Sequence, residues 1–301
     1  MFLISFYWAG QQKLVFAFLW RDDLMRIVSF NVNGFRGMLG QGDIISDEAL
    51  YNNLQSLKEF IDSLKITDED VIILQEVPHK ILVDKTTVPW VWEEQVMFQK
   101  FNSVFNKEYK LFYPRFLIDS NQCTVGLASK NTIWKYSQPP IVKYDRYHHY
   151  GNKLIEIENG NDILLGVHVN PCDEMWNLII KGLEKNRVTF IVGDFNAYEE
   201  RGKMKNKPGI LRGVGYNSYI PSNVITDYKD NSSIDNFYVE KNKTIENGIS
   251  IEVKKTRQFV SDHACCILDI TEYSCAITPQ VRQAGNRLSG LTETAYASLL
   301  A

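Results

Sequence analysis

The chain has 301 residues, with 33 Lys and Arg against 36 Asp and Glu for a formal net charge of −3, and hydrophobic types make up 45% of it. This composition excludes a disordered, collagenous or coiled-coil chain and fits one large globular domain or two small ones. The near-neutral balance also excludes binding to nucleic acid through a global positive excess, so any phosphate contact has to be local.

The first twenty residues are apolar, yet Gln11, Gln12 and Lys13 split them into runs too short to span a bilayer, and no positive stretch precedes them. Met25 stands directly before the first strong strand pattern, so residues 1–24 are expected to be an extension or a misassigned start. Residues 27–32 (IVSFNV) predict a buried strand that meets the turn-forming Asn33-Gly34. Leu50, Leu54, Leu57, Ile61 and Leu64 recur at helical spacing, with Ser46 placed to cap and Asp47 and Glu48 in the first turn. Residues 71–74 form a continuous apolar strand ending at Gln75-Glu76.

A second helix is expected after Pro89, with Met97, Phe101 and Val104 on one face, and residues 123–129 return to strand character. Residues 154–157 and 163–167 predict a hairpin across Asn159-Gly160-Asn161. Trp176, Ile179, Ile180 and Leu183 mark an amphipathic helix. Residues 190–192 are a short apolar strand running into Gly193-Asp194-Phe195-Asn196, and the last strands are 234–239 and 264–270. No repeat or linker interrupts residues 25–273, which read as one α/β domain, whereas residues 274–301 are rich in Ala, Ser, Gly and Thr and are expected to be a mobile tail, with a short helix near 291–300 as an option.

The five cysteines (Cys123, Cys172, Cys265, Cys266, Cys275) contain no CxxC pair and are odd in number, which points away from zinc and disulfides and toward a reducing, cytoplasmic compartment. Cys265 and Cys266 are expected to point to opposite faces of their strand.

The strand ends collect Asn31, Glu76, His168 and Asp194 with Asn196, all oxygen ligands or imidazoles. Asp235 lies in the strand 234–239, and Asp262 and His263 precede the strand 264–270, so an antiparallel neighbour is needed to bring that strand's start to the others' ends. Phosphodiester hydrolysis requires an aligned water, a cation against the charge on the phosphoryl oxygens and help for the departing alkoxide. Glu76 suits Mg²⁺, with Asn31 and Asp262 completing its sphere directly or through water. Asp194 holds or activates the water, Asn196 donates to the phosphoryl group, and Asp235 orients His263. His168 is left to contact the phosphate or assist the leaving group.

These residues carry a resemblance. Arg26-Ile27-Val28-Ser29-Phe30-Asn31-Val32-Asn33-Gly34, Ile73-Leu74-Gln75-Glu76, Gly126-Leu127-Ala128-Ser129-Lys130, Val192-Gly193-Asp194-Phe195-Asn196, Ser233-Ile234-Asp235 and Ser261-Asp262-His263 stand in the order of the motifs of the endonuclease/exonuclease/phosphatase family. The chain resembles its exonuclease III-like and deoxyribonuclease I-like branches over residues 25–273. The resemblance implies a four-layer α/β/β/α sandwich of two mixed sheets flanked by helices, and a divalent-cation-dependent phosphoesterase with its site at one edge. It places Asn31 and Glu76 at the metal with Asp262 beside it, Asp194 and Asn196 at the water and phosphate, and Asp235 behind His263. Two positions depart from the abasic-site endonuclease branch: His168 stands where that branch has tyrosine, and a histidine there resembles deoxyribonuclease I, the sphingomyelinases or the deadenylases, while Ser233 stands where many relatives have arginine.

Taken singly, Asp194 and Asn196 are turn formers beside glycine, and Glu76 and His263 are ordinary polar residues. Their joint order favours the functional reading, least so for Asn31. The loop with Arg201, Lys203, Lys205, Lys207 and Arg212 is either a solvated charge run or a grip on a nucleic-acid backbone, where Lys203, Lys205, Lys207 and Arg212 bind substrate. Trp90, Trp92 and Phe98 are assigned to packing, and His148-His149, between Tyr147 and Tyr150, to a loop. The expected protein is a monomeric Mg²⁺-dependent nuclease, with Mn²⁺ as a substitute, acting on DNA before RNA and without stable membrane association. The alternatives are a phosphodiesterase or phosphatase acting on RNA, a sphingomyelin-type lipid or an inositol phosphate, and an inactive binding module. Against the last, every expected acid and the final histidine are present.

Overall fold

The computed structural model describes residues 6–8, 11–13, 24–40, 43–83, 90–143, 150–197, 206–246, 248–256 and 259–271. Contacts separate residues 24–271 from the flanking 1–23 and 272–301. Ahead of the main unit, β1 (Phe6–Trp8) and β2 (Gln11–Lys13) pair as an antiparallel hairpin. The expected tail from residue 274 lies outside the described residues.

The main unit starts with β3 (Leu24–Asn31), a turn of 3₁₀ helix at Asn33–Phe35, α1 (Asp47–Ser63) and β4 (Val71–Pro78). A short hairpin follows, β5 (Lys80–Val83) with β6 (Val91–Glu94), then α2 (Val96–Phe105), β7 (Tyr109–Phe112), β8 (Gln122–Ser129) and β9 (Lys135–Tyr136). Next come β10 (Leu154–Glu158), β11 (Ile163–His168), α3 (Asp173–Lys185), β12 (Phe190–Asp194), α4 (Lys207–Gly213) and β13 (Tyr216–Ser218). The unit closes with β14 (Asp235–Glu240), α5 (Lys241–Glu246), β15 (Gly248–Lys254) and β16 (Cys265–Thr271).

Two six-stranded sheets result, in the orders β15-β16-β3-β4-β8-β7 and β13-β14-β12-β11-β10-β9. Each is mixed, with one parallel pair, β3 with β4 and β11 with β12. Strand alternation then builds three cores. On β3 and β4, Val28, Phe30, Ile72 and Leu74 face α1 and α2, while Ile27, Val71 and Ile73 face the second sheet. On β12, Phe190 and Val192 fill that middle layer, while Ile191 packs outward with Trp176 and Ile179 of α3. Cys265 and Cys266 divide in the same way between the first and middle cores. The architecture is a four-layer sandwich. The sheets approach so closely that a Cβ on Gly166 would lie 2.8 Å from Ile73 Cγ2.

Helix α1 forms where the leucine spacing predicts it, and Ser46 Oγ caps it by accepting the Ala49 N–H at 3.2 Å. The fold also corrects three expectations. β4 does not end at Glu76 but runs to Pro78, with its register to β8 shifting between Leu74 and Val77. β15 is an edge strand with half-polar composition that the two-strand ending leaves out. Of the aromatics assigned to packing, Phe98 is buried in α2, but Trp90 is 63% exposed because it stands at the edge of the β5–β6 hairpin rather than on the helix face. Among the described residues, no helix is long and apolar enough to cross a membrane, and four cysteines are free.

Candidate active site

The strand registers bring the polar strand ends to one rim. Asn31 ends β3, His168 ends β11 and Asp194 ends β12, where Asp194 pairs with His168 on one side and with Asp235, the first residue of β14, on the other. His263 precedes β16, which runs antiparallel to β3 and so starts where β3 ends. The anticipated antiparallel neighbour is therefore present.

Local backbone then aims individual side chains. The shifted register on β4 puts Glu76 at a φ of 58°, a left-handed conformation that turns its carboxylate into the site. Gly193 has a φ of 141°, and a Cβ there would lie 1.9 Å from Val167 O, so only glycine lets Asp194 follow in register. Asn196 sits at a φ of 46°, which asparagine tolerates better than most residues. Its backbone N–H donates to Asp194 Oδ1 at 2.9 Å, and its Nδ2 donates to Val169 O at 3.0 Å.

The side chains meet across the two sheets. Asn31 Nδ2 donates to Glu76 Oε1 at 3.1 Å and to Asp194 Oδ2 at 3.0 Å, while its Oδ1 accepts the Asn33 N–H at 2.9 Å. Asn31 thus turns nitrogen, not oxygen, to the carboxylates, and orients them rather than ligating a cation in this arrangement. Gln122 Nε2 holds the other Glu76 oxygen at 2.9 Å. His263 Nδ1 lies 2.8 Å from Asp235 Oδ2, and its Nε2 is 3.9 Å from Asp194 Oδ2. His168 Nε2 is 3.4 Å from Glu76 Oε1 and 3.8 Å from Asp194 Oδ2. On its far side, Lys153 Nζ lies 3.0 Å from His168 Nδ1.

Burial dominates the electrostatics and the partners decide its outcome. Burial and the nearby Asp235 push the Asp194 carboxyl up to about 7, against the pull of His263. Burial would also raise Glu76, but His168, the Asn31 amide, Lys153 and His263 hold it below the usual carboxylate range. Burial and Lys153 drive His168 down to about 3, so its ring is neutral at pH 7. For His263 burial is overcome by Asp235, Asp194 and Asp262, which hold the imidazole well above its ordinary value. Burial raises Asp262, opposed by His263.

The donor set fits a divalent cation. Among the described residues, Glu76, His168 and Asp194 form one group of ligand atoms within 4.8 Å of one another, and Asp194, Asp235 and His263 form a second. Asp235 Oδ1 is buried without a hydrogen-bond partner, an acceptor available to a cation's hydration shell. Four carboxylates (Glu76, Asp194, Asp235, Asp262) meet two cations (Lys153, His263), an excess that a divalent ion neutralises. Asp262 belongs to neither group; its Oδ1 accepts from Ser261 Oγ at 3.3 Å.

The basic loop gives less. Lys203 and Lys205, with Arg201, lie outside the described residues, as do His148 and His149. Lys207 Nζ is 2.6 Å from Asp173 Oδ1 with its side chain 13% exposed, which makes it a poor phosphate contact, and Arg212 is exposed on α4. Three contributors escape the sequence reading. Lys153 and Gln122 touch His168 and Glu76, and Thr226 Oγ1 accepts the N–H groups of Ile234 and Asp235, both at 3.0 Å, fixing the start of β14.

Residues 28–263 match the Endonuclease/Exonuclease/phosphatase family. The endonuclease domain of TRAS1, a telomere-specific non-LTR retrotransposon, is similar in structure with a TM-score of 0.54 at 12% identity, over 84% of this chain and 100% of that one. D. rerio TDP2 complexed with single strand DNA product gives 0.51 at 13% identity, over 83% and 100%. The Xenopus laevis APE2 catalytic domain gives 0.51 at 14% identity, over 85% and 95%. These likenesses establish the shared sandwich fold. No curated protein sequence matches the chain significantly.

Proposed function

The chain belongs to the endonuclease/exonuclease/phosphatase family of metal-dependent phosphodiester hydrolases, and on that premise we propose that it is a Mg²⁺-dependent nuclease that hydrolyses phosphodiester bonds in DNA. The observation that carries this reading is the Asp235–His263 pair, 2.8 Å apart, facing an Asp194 carboxylate that Asn31 ties to Glu76. Nucleic acid is favoured as substrate because the similar folds include an endonuclease domain and a protein complexed with single strand DNA product.

Glu76 and Asp194 would hold the cation, which when bound neutralises charge developing on the phosphoryl oxygens. Asp194 also accepts from the attacking water and aligns it. Three nitrogens converge on its Oδ2, from Asn31, His168 and His263, and the same N–H groups stabilise a phosphoryl oxygen that enters between them. Asp235 keeps His263 protonated and oriented through Nδ1, so that Nε2–H points at the reacting centre. Asn196 has one amide hydrogen on Val169 O and offers the other to the phosphate.

Nicking of supercoiled plasmid tests this. The full chain is expected to cut with Mg²⁺ and to stop with chelator, and the Asp194→Asn and His263→Ala variants are expected to be inert. Cleavage of a sphingomyelin-type lipid or of RNA, with DNA left intact, would overturn the choice of substrate while keeping the chemistry.

A further inference from the structure

The geometry points to Lys153 as the residue that positions His168: its ammonium donates to Nδ1, fixes the ring as the tautomer protonated at Nε2, and makes His168 a hydrogen-bond donor into the site rather than a metal ligand. The inference deepens the nuclease reading and rests on it for the use made of that donor, though the tautomer itself does not depend on it.

The contact is imposed by the hairpin. β10 and β11 pair in an antiparallel register that sets Leu154 opposite Val167, so the preceding residue, Lys153, falls opposite His168 at the open end of the ladder. The lysine backbone is held on both sides of that position. Its N–H donates to Tyr150 O at 2.9 Å, and its carbonyl accepts from Thr124 Oγ1 at 3.2 Å. The adjacent Asn152 side chain clamps Ile118, accepting its N–H at 2.6 Å and donating to its carbonyl at 3.0 Å.

An N···N separation of 3.0 Å needs one donor and one acceptor, and an ammonium has three hydrogens and no lone pair. Nδ1 is therefore the acceptor and the ring proton resides on Nε2. Burial lowers the Lys153 amine from its ordinary value, while the Glu76 and Asp194 carboxylates attract positive charge on Nζ and so oppose the reverse arrangement, a neutral amine accepting from Nδ1–H. A doubly protonated ring is opposed by the ammonium itself. The Nε2–H then faces Glu76 Oε1 at 3.4 Å and Asp194 Oδ2 at 3.8 Å. A nitrogen ligand to a cation presents a lone pair, and this tautomer presents a hydrogen in its place. His168 consequently leaves the cation to the carboxylates and offers its hydrogen to an oxygen among them.

The test is a long-range ¹H–¹⁵N spectrum of the full chain labelled at its five histidines, with His168 identified by loss of its signal in His168→Gln. The expected wild-type pattern at pH 7 is an unprotonated Nδ1 and a protonated Nε2, unchanged in Lys153→Arg and replaced by a mixture of tautomers in Lys153→Met. Saturating Mg²⁺ is expected to leave the Nε2 proton in place. A wild-type ring protonated at Nδ1, a pattern unaltered in Lys153→Met, or loss of the Nε2 proton with Mg²⁺ overturns the inference. If Lys153→Met does not fold, the wild-type and Lys153→Arg spectra still decide. Where the nuclease reading holds, Lys153→Met cuts about 10- to 100-fold more slowly and Lys153→Arg recovers most of the rate. An inert wild type with the expected spectrum would count against the nuclease and not against the role of Lys153.

Discussion

The two halves of the site each hold a buried histidine, and the two are driven to opposite protonation states. His263 meets a carboxylate at Nδ1, Asp235 at 2.8 Å, and stays protonated above its ordinary range. His168 meets an ammonium at the same ring atom, Lys153 at 3.0 Å, and is pushed down to about 3. Burial acts on both in the same direction, against the charged form. The neighbouring charges therefore decide whether burial prevails: Lys153 reinforces it at His168, and Asp235, with Asp194 and Asp262, overcomes it at His263. The site thereby keeps one cationic ring and one neutral ring around the same Asp194 oxygen.

The largest break of this contrast is expected from Asp235→Asn, which removes the carboxylate that contributes most against burial at His263. The His263 pKa then falls, the alkaline limb of the pH–rate profile moves to lower pH, and the rate near neutrality drops on the order of 10³-fold in a plasmid-nicking assay. An alkaline limb that stays in place would show that His263 is not the group that titrates there. Next comes Asn31→Ala, which frees Glu76 and Asp194 from their shared donor. Calorimetric titration is expected to show Mg²⁺ affinity altered by about 10- to 100-fold, with the His263 titration little changed.

A third measurement separates the two rings by the sign of their linkage to stability. The folded-state value of His168 lies below the unfolded one, so the neutral ring stabilises the fold above the unfolded value and that contribution is lost as the pH falls toward about 3. At pH 5 the loss is about 2 kcal/mol, counting from an unfolded imidazole near 6.5. His263 is raised, so its contribution is complete below the unfolded value and disappears as the pH rises through the folded one. Urea denaturation without metal is expected to show the wild type losing more stability between pH 7 and pH 5 than His168→Gln does; equal losses would contradict the assignment. The smallest effect is expected from Thr226→Val, which removes the acceptor for the Ile234 and Asp235 N–H groups at a cost of about 1 kcal/mol. It slows cutting several-fold through the Asp235–His263 half while leaving the His168 spectrum as it was.

Much of this site is legible along the chain because strand ends advertise themselves. An apolar run that stops at a polar residue next to glycine gives Asp194 and Asn196, and their order with Glu76, Asp235 and His263 gives the family. Lys153 was within reach by the same means. The hairpin over 154–157 and 163–167 already fixes which residue faces His168, but a lysine just before a strand has no pattern of its own and reads as solvated. β15 was legible too, since Ile249, Ile251 and Val253 alternate with polar residues as an edge strand requires. Trp90 shows the opposite failure, because proximity to a helical pattern says nothing about which side of the element boundary a ring falls on.

By itself the sequence determined the alternation that sorts Val28 from Ile27 and Cys265 from Cys266, the cap of α1, and the identity of the acids and imidazoles at the strand ends. These follow from periods of two and 3.6 residues and from local hydrogen bonds, all of which are short-range. Tertiary structure alone decided that Asn31 turns its nitrogen to the carboxylates, that Glu76 is aimed by a shifted register, and that one histidine is charged and the other neutral. Each of those depends on burial and on partners from the other sheet or strand, and the electrostatic field of a buried group is set by what surrounds it in space, not by what flanks it along the chain.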